Sequence, residues 1–199
     1  MNIMAFCNPN DKRPHVNRPF TQGDYTYALD GALIVRVPKM NGFDMEDEKK
    51  FPAVDTLPWD HDTLTVWEDP PSGALSGIPK CGICDGTKKA STCPECDGEG
   101  VVEFDNVHHT YECECETCYG DGYAKGGIKD CPECEGTGKD LKKGRVKFGD
   151  RYFSVYYIRK IKKELTGIKM SRHGDPNDHA PLLFIFDGGC GMLMPMGEQ

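Results

Sequence analysis

Cysteine pairs with a fixed spacing recur four times between residues 81 and 138. They read Cys81-Gly-Ile-Cys84-Asp-Gly, Cys93-Pro-Glu-Cys96-Asp-Gly-Glu-Gly, Cys115-Glu-Thr-Cys118-Tyr-Gly-Asp-Gly and Cys131-Pro-Glu-Cys134-Glu-Gly-Thr-Gly. A Cys-x-x-Cys turn aims two thiolates at one point, about 2.3 Å from a shared zinc ion. The glycines that follow tolerate positive φ, so the chain can fold back close to the sulfurs. Eight thiols in four such knuckles make two tetrahedral four-thiolate sites, and the cofactor expected is zinc, two ions per chain. A catalytic zinc keeps one position open and commonly takes His or carboxylate ligands, whereas four thiolates close the shell, so the zinc expected here is structural.

Disulfides are the competing use of a cysteine-dense segment. Nine of the eleven cysteines fall in 81–134, with Cys7 and Cys190 outside. The first twenty residues carry Asn, Asp, Lys, Arg and Pro without an apolar run, which reads as no signal peptide, and the regular pair spacing suits metal. A reducing cytoplasm is the expected location. No stretch is long and apolar enough for a membrane span.

The elements that must hold these knuckles are few. The segment has few large apolar residues beyond Val101, Val102, Phe104, Val107 and some tyrosines, so metal must supply its folding free energy. Structural zinc supplies about 10–16 kcal/mol in small fingers at neutral pH. Between the second and third knuckles, 101–112 reads as a hairpin arm. Upstream, Asp30-Gly31 between β-prone runs predicts a hairpin over 24–38, 41–50 is a polar loop, and 63–67 a short strand. Downstream, a strand is expected at 145–148 and a helix from 151 to 165. Val155, Ile158, Ile161 and Leu165 share its core face, and Tyr152, Tyr156, Arg159, Lys160 and Lys163 lie on the other side. Leu182–Phe186 reads as a buried strand, followed by a glycine turn at 188–191. Strands on both sides of the cysteines argue for one α+β domain interrupted by an insert.

Charge is divided along the chain. The net charge is −8, but residues 1–138 balance at −13 and residues 139–172 at +9. Such a basic block can serve an anionic partner or neutralise acidic neighbours in the fold. The residues Tyr152, Tyr156, Arg159, Lys160 and Lys163 fall in this block and are the candidate nucleic-acid-binding residues, the alternative being a solvated helix face that balances the acidic segment. His108-His109 on the hairpin reads as a solvated pair, and His173 and His179 flank a Gly-Asp-Pro-Asn-Asp loop with no nucleophile to serve. Cys190 reads as a small buried or turn thiol. No Ser/His/Asp set, phosphate loop or general acid/base pair is evident, so the chain is read as non-enzymatic, with no catalytic residues.

The cysteine segment resembles the zinc-binding region of DnaJ-type co-chaperones, whose unit is Cys-x-x-Cys-x-Gly-x-Gly. Knuckles two, three and four match it in full, and the first departs with Lys88 at the final glycine. The resemblance implies that the first knuckle pairs with the fourth and the second with the third. Cys81, Cys84, Cys131 and Cys134 would then hold one zinc, and Cys93, Cys96, Cys115 and Cys118 the other, leaving Cys113 as an extra thiol. The J-domain His-Pro-Asp triplet is absent, which argues against co-chaperone action on an ATPase.

The flanks resemble one domain of a bacterial DNA-polymerase sliding clamp. The likeness lies in Tyr27-Ala-Leu-Asp-Gly31, Phe51-Pro-Ala-Val-Asp-Thr-Leu-Pro58, Arg151-Tyr-Phe-Ser with its following helix, and Met192-Leu-Met-Pro-Met196. It implies an α+β fold: a single sliding-clamp-like domain, antiparallel sheet plus helix, over 1–77 and 141–199, with a two-zinc DnaJ-type cysteine-rich module inserted at 78–140. A clamp ring has six such domains, and this chain has room for one. The function expected is a zinc-binding interaction protein, an accessory factor of phage or mobile-element type that engages host protein or DNA machinery. The alternatives are a DnaJ-type thiol-active chaperone or disulfide oxidoreductase, and an oligomeric clamp-like DNA-binding protein.

Overall fold

The computed structural model describes residues 1–44, 52–57, 59, 64, 66–172 and 181–197. In chain order the elements are α1 (Pro14–Asn17), β1 (Phe20–Gln22), β2 (Tyr25–Leu29), β3 (Leu33–Pro38), β4 (Lys89–Thr92), β5 (Val101–Asp105), β6 (Thr110–Glu114), β7 (Tyr123–Lys125), β8 (Lys129–Asp130), β9 (Arg145–Phe148), β10 (Arg151–Ser154), α2 (Val155–Glu164), β11 (Lys169–Arg172), β12 (Leu182–Phe186) and β13 (Gly189–Leu193). Short 3-10 turns lie at Ile3–Phe6 and Val54–Thr56. The chain divides into two compact units, one formed by 1–74 with 145–199 and the other by 75–144.

The larger unit is built on an antiparallel sheet of six strands in the order β1-β2-β3-β13-β12-β11. Its two chain segments meet at the centre, where β3 pairs with β13 in the register Val35↔Gly191. In β3 the burial alternates, with Leu33, Val35 and Val37 inward, the period of two of a half-buried strand. The amphipathic helix α2 buries Val155, Ile158 and Ile161 fully, and Ile158 and Ile161, with Leu165 after them, enter the same core as Phe184 and Leu193 of the sheet. The helix starts later than 151. Residues 151–154 form β10, paired with β9 across Gly149-Asp150, and Gly149 takes φ 67. A tight hairpin consumes the residues that helical spacing alone would have put into the first turn.

Two turns differ from their sequence expectation. The β2–β3 hairpin closes on Gly31-Ala32, with Asp30 N–H bonded to the Leu33 carbonyl at 3.1 Å, and at its tip Gly31 takes φ 91. This is the glycine-first class of two-residue turn, which frees Asp30 for another role. At the other end of the sheet, the turn is Asp187-Gly188, and Gly189 to Gly191 belong to β13. Those glycines face aromatic rings. A Cβ on Gly191 would lie 2.2 Å from Cζ of Phe184, its cross-strand partner, and one on Gly189 2.6 Å from Cζ of Phe186. Ring over glycine is a known way of completing a strand that lacks a side chain.

Thr63 and Thr65 of the expected strand 63–67 lie outside the described residues, as do His173 and His179. Leu64, Val66 and Trp67 are not in a strand, and the pairing falls on Glu68, which bridges Met170 through two backbone bonds of 2.8 Å. No helix among the described residues is long and apolar enough to cross a membrane.

The smaller unit holds a three-stranded sheet, β7-β4-β8, and a separate two-stranded ribbon, β5-β6. The ribbon is the hairpin expected at 101–112, extended to Glu114 and turned by 106–109, where the Asn106 side chain accepts the His108 and His109 N–H groups.

Candidate metal centre

All eleven cysteines are free thiols, and eight of them gather into two tetrads. Cys81, Cys84, Cys131 and Cys134 form the first; Cys93, Cys96, Cys115 and Cys118 form the second. In each tetrad the ligand sulfurs all lie within 4.8 Å of one another, and every member is buried. The Sγ···Sγ separations are 3.9 Å for Cys81–Cys131, 3.7 Å for Cys84–Cys134, 3.9 Å for Cys93–Cys115 and 3.7 Å for Cys96–Cys118. A tetrahedron of zinc–sulfur bonds near 2.3 Å has edges of about 3.8 Å. The two four-cysteine clusters therefore fit zinc in both ligand chemistry and size.

Backbone conformation explains how short sequences make these sites. In each knuckle the residue after the second cysteine is left-handed: Asp85, Asp97, Tyr119 and Glu135 take φ of 50, 47, 52 and 48. The glycine after it is left-handed too, and so is the residue two further on. That last residue turns its amide onto sulfur. Gly100, Gly122 and Gly138 donate to the Sγ of Cys96, Cys118 and Cys134 at 3.3, 3.2 and 3.3 Å. Lys88 fills this position in the first knuckle, takes φ 71, and its backbone N–H reaches Cys84 in the same way. The missing glycine thus leaves the knuckle's backbone unchanged.

The same four residues tie the knuckles in pairs. Cys81 N–H donates to the Gly138 carbonyl at 3.0 Å and Cys131 N–H to the Lys88 carbonyl at 2.9 Å. Cys93 N–H donates to Gly122 and Cys115 N–H to Gly100, both at 2.9 Å. Each tetrad is thus closed by a reciprocal exchange, first knuckle with fourth and second with third. The second and third knuckles approach too closely for side chains at these positions: a Cβ on Gly100 would lie 2.2 Å from the Gly120 oxygen, and one on Gly122 2.3 Å from the Gly98 oxygen.

The thiols divide electrostatically. Burial raises every one it acts on, and it pushes Cys118 and Cys131 up to about 12. For Cys84 and Cys96 burial is outweighed by backbone N–H groups (Lys88 and Gly86; Gly100 and Gly98) and by neighbouring thiols, which bring both down to about 7. A sulfur held by two amides is prepared to be a thiolate, the form that binds metal.

The remaining candidates are placed differently. Cys113 is exposed and outside both tetrads. Cys190 sits in β13 instead of a turn, and its Sγ accepts the Arg36 Nε–H at 3.1 Å. The Arg36 guanidinium lies over the rings of Tyr25 and Trp59, 4.5 and 4.1 Å from their centroids. The five residues proposed as a nucleic-acid face differ in their placement. Tyr152 lies on β10 and not on the helix. Lys160 turns inward, its Nζ 2.9 Å from the carboxylate of Asp30, with side-chain exposures of only 15% and 8%. Arg159 and Tyr156 are half-buried, and Arg159 Nε is buried without a hydrogen-bond partner among the described residues. Lys163 is exposed. The inward turn of Lys160 has a plain cause: Asp30, displaced from the tip of its hairpin, is a buried carboxylate that needs a cation. Around it, burial first and the Asp30 charge second raise Tyr157, and burial with the same charge pushes Cys7 up to about 11.

The comparisons with known proteins agree with the site and reach little further. No family model and no solved structure matches the chain. Among curated proteins, it is 44% identical over 34 residues to the chaperone protein DnaJ of Campylobacter jejuni, which is 17% of this chain and 9% of that protein. It is 35% identical over 75 residues to the chaperone protein DnaJ of Francisella philomiragia, 35% of this chain and 19% of that protein. The chain thus spans less than a fifth of the length of these relatives. What it is similar to is a short stretch of DnaJ.

Proposed function

We propose that this chain is a non-enzymatic zinc-binding interaction protein, in which two structural zinc ions hold a DnaJ-type module on a clamp-like α+β body. The observation that carries this reading is the closure of both tetrads. Each brings four buried thiols together, and four thiolates leave no coordination position for a substrate or water. The metal's role is then to fold a unit with little apolar core and to hold its surfaces in place.

The clamp-like body rests on the motifs in the flanks and on a helix packed against an antiparallel sheet. A protein partner is favoured over DNA, because Lys160 is committed to Asp30 and two of its companions are half-buried. The small hybrid architecture suits an accessory factor of phage or mobile-element type that engages host machinery. The DnaJ likeness supports a second reading, thiol-disulfide exchange by the knuckles.

One set of measurements separates the two. Metal analysis and native mass spectrometry of the purified chain are expected to give two zinc ions, and an insulin-reduction assay no turnover above the buffer. A single ion, or reductase turnover by the fully metallated chain, overturns the interaction-protein reading.

A further inference from the structure

The β5–β6 ribbon is a two-faced surface, most of it open to solvent among the described residues. Direct cross-strand partners share a face, so Val102 with Cys113 and Phe104 with Tyr111 lie on one side. On the other lie Val101 with Glu114, Glu103 with Glu112, and Asp105 with Thr110. Val102 anchors the ribbon by packing on the second tetrad. Beyond it the aromatic side is open: Phe104 is 58% exposed and Tyr111 51%. Val107 at the tip is exposed as well. Among the described residues each strand pairs only with the other, which leaves two outer edges.

The charges around this apolar stripe have one sign. Residues 90–124 contain nine Asp and Glu and no Lys or Arg. Glu103 and Glu112 stand directly opposite each other, an arrangement that costs stability in an isolated sheet. The two four-thiolate zinc sites would each add about −2 to the same unit. A stripe of exposed aromatics framed by like charge is poorly explained by folding alone, and well explained by a complementary ligand.

We propose that the ribbon is a docking surface for a basic, extended segment of a partner protein. Such a segment would alternate Lys or Arg with apolar residues, adding as a strand to an open edge of the ribbon. A five-residue strand runs for about 17 Å, so about five or six residues of ligand would lie along it. Its apolar side chains cover Phe104 and Tyr111, and its cations meet Glu103, Glu112 and Glu114. Main-chain pairing supplies affinity and the alternating side chains supply selectivity. Nucleic acid is excluded from this surface by its charge.

This inference deepens the interaction-protein reading and rests on it. The test is fluorescence anisotropy on the full zinc-loaded chain, with labelled peptides of about twelve residues. The first alternates lysine with leucine, the second lysine with serine, the third glutamate with leucine. Binding of the lysine–leucine peptide is expected to exceed the other two by about tenfold or more. Phe104→Ala with Tyr111→Ala should reduce it to the lysine–serine level. Glu103→Gln with Glu112→Gln should weaken it by about tenfold and flatten its salt dependence. Asp24→Asn with Asp150→Asn, exposed acids of the larger unit, should leave it unchanged. Equal binding of the lysine–serine peptide, or binding indifferent to both ribbon variants, overturns the proposal. So does self-association of the chain that the ribbon variants abolish, which would assign the surface to a second copy. Zinc content and the reductase assay on the same samples decide the underlying reading separately, so the two can fail independently.

Discussion

Glycine positions in the cysteine segment are not interchangeable, and the differences are measurable. Gly100 and Gly126 have nearly the same backbone, with φ of 78 and 75. A Cβ on Gly100 meets a carbonyl oxygen at 2.2 Å, while one on Gly126 meets nothing within 4 Å. Gly126→Ala therefore incurs only the left-handed penalty, about 1 kcal/mol, and should keep both zinc ions. Gly100→Ala must push the second and third knuckles apart and is expected to lose the second zinc, which metal analysis would read as one ion remaining. Lys88 already bears the left-handed penalty at φ 71. Lys88→Gly should hold zinc more tightly at the first tetrad by about 1 kcal/mol, seen as slower loss to a competing chelator. The repeat made these roles readable: Lys88 is conspicuous as the one break in a fourfold pattern. The amide-to-sulfur bonds and the exchange between knuckles follow from that pattern only once the pairing is known.

At the scale of elements, local signals carried far and long-range ones did not. The apolar face of α2 is legible because Val155, Ile158, Ile161 and Leu165 repeat at helical spacing. Its first turn was not, because β9 and β10 pair through Gly149 and claim residues 151–154. The Asp30–Lys160 pair joins residues 130 positions apart and has no signature in either segment. Lys160 therefore resembled a solvated cation on the helix. The energetic consequence is testable. Lys160→Met leaves the Asp30 carboxylate buried without its cation, and its Oδ1 has no hydrogen-bond partner among the described residues as it is. The expected cost is about 3–5 kcal/mol of stability in the larger unit. Lys162→Met, at an exposed position bonded to the Pro71 carbonyl, should cost no more than about 0.5 kcal/mol. Adding Asp30→Asn to Lys160→Met should restore much of the loss, which thermal denaturation of the four proteins would show. If Lys160→Met and Lys162→Met melt alike, the pair is not buried in solution.

For the molecule as a whole, the two units draw on different sources of stability. The larger unit has an apolar core that includes Phe6, Leu33, Ile158, Phe184 and Leu193, all shielded from water. In the smaller unit, the buried clusters are the cysteine tetrads themselves, joined by Ala90 and flanked by Ile83 and Val102. Metal binding at about 10–16 kcal/mol per structural site is the only term large enough to order it. Chelation should therefore separate the units. In the presence of a strong zinc chelator, protease is expected to cleave first within 75–144, while the fragments holding 1–74 and 145–199 survive together as a folded pair. Near-ultraviolet dichroism from the aromatic core should change little, and re-addition of zinc should restore resistance in the cysteine segment. Acid should act in the same direction, because protons compete with zinc for sulfurs that bind only as thiolates. The central strand pair β3–β13 gives the reason the body can outlast its insert, since it joins residues from both sides of the module directly. Simultaneous loss of both units on chelation would mean that the sheet depends on the metal, and that the body is not an independently folding platform for the module.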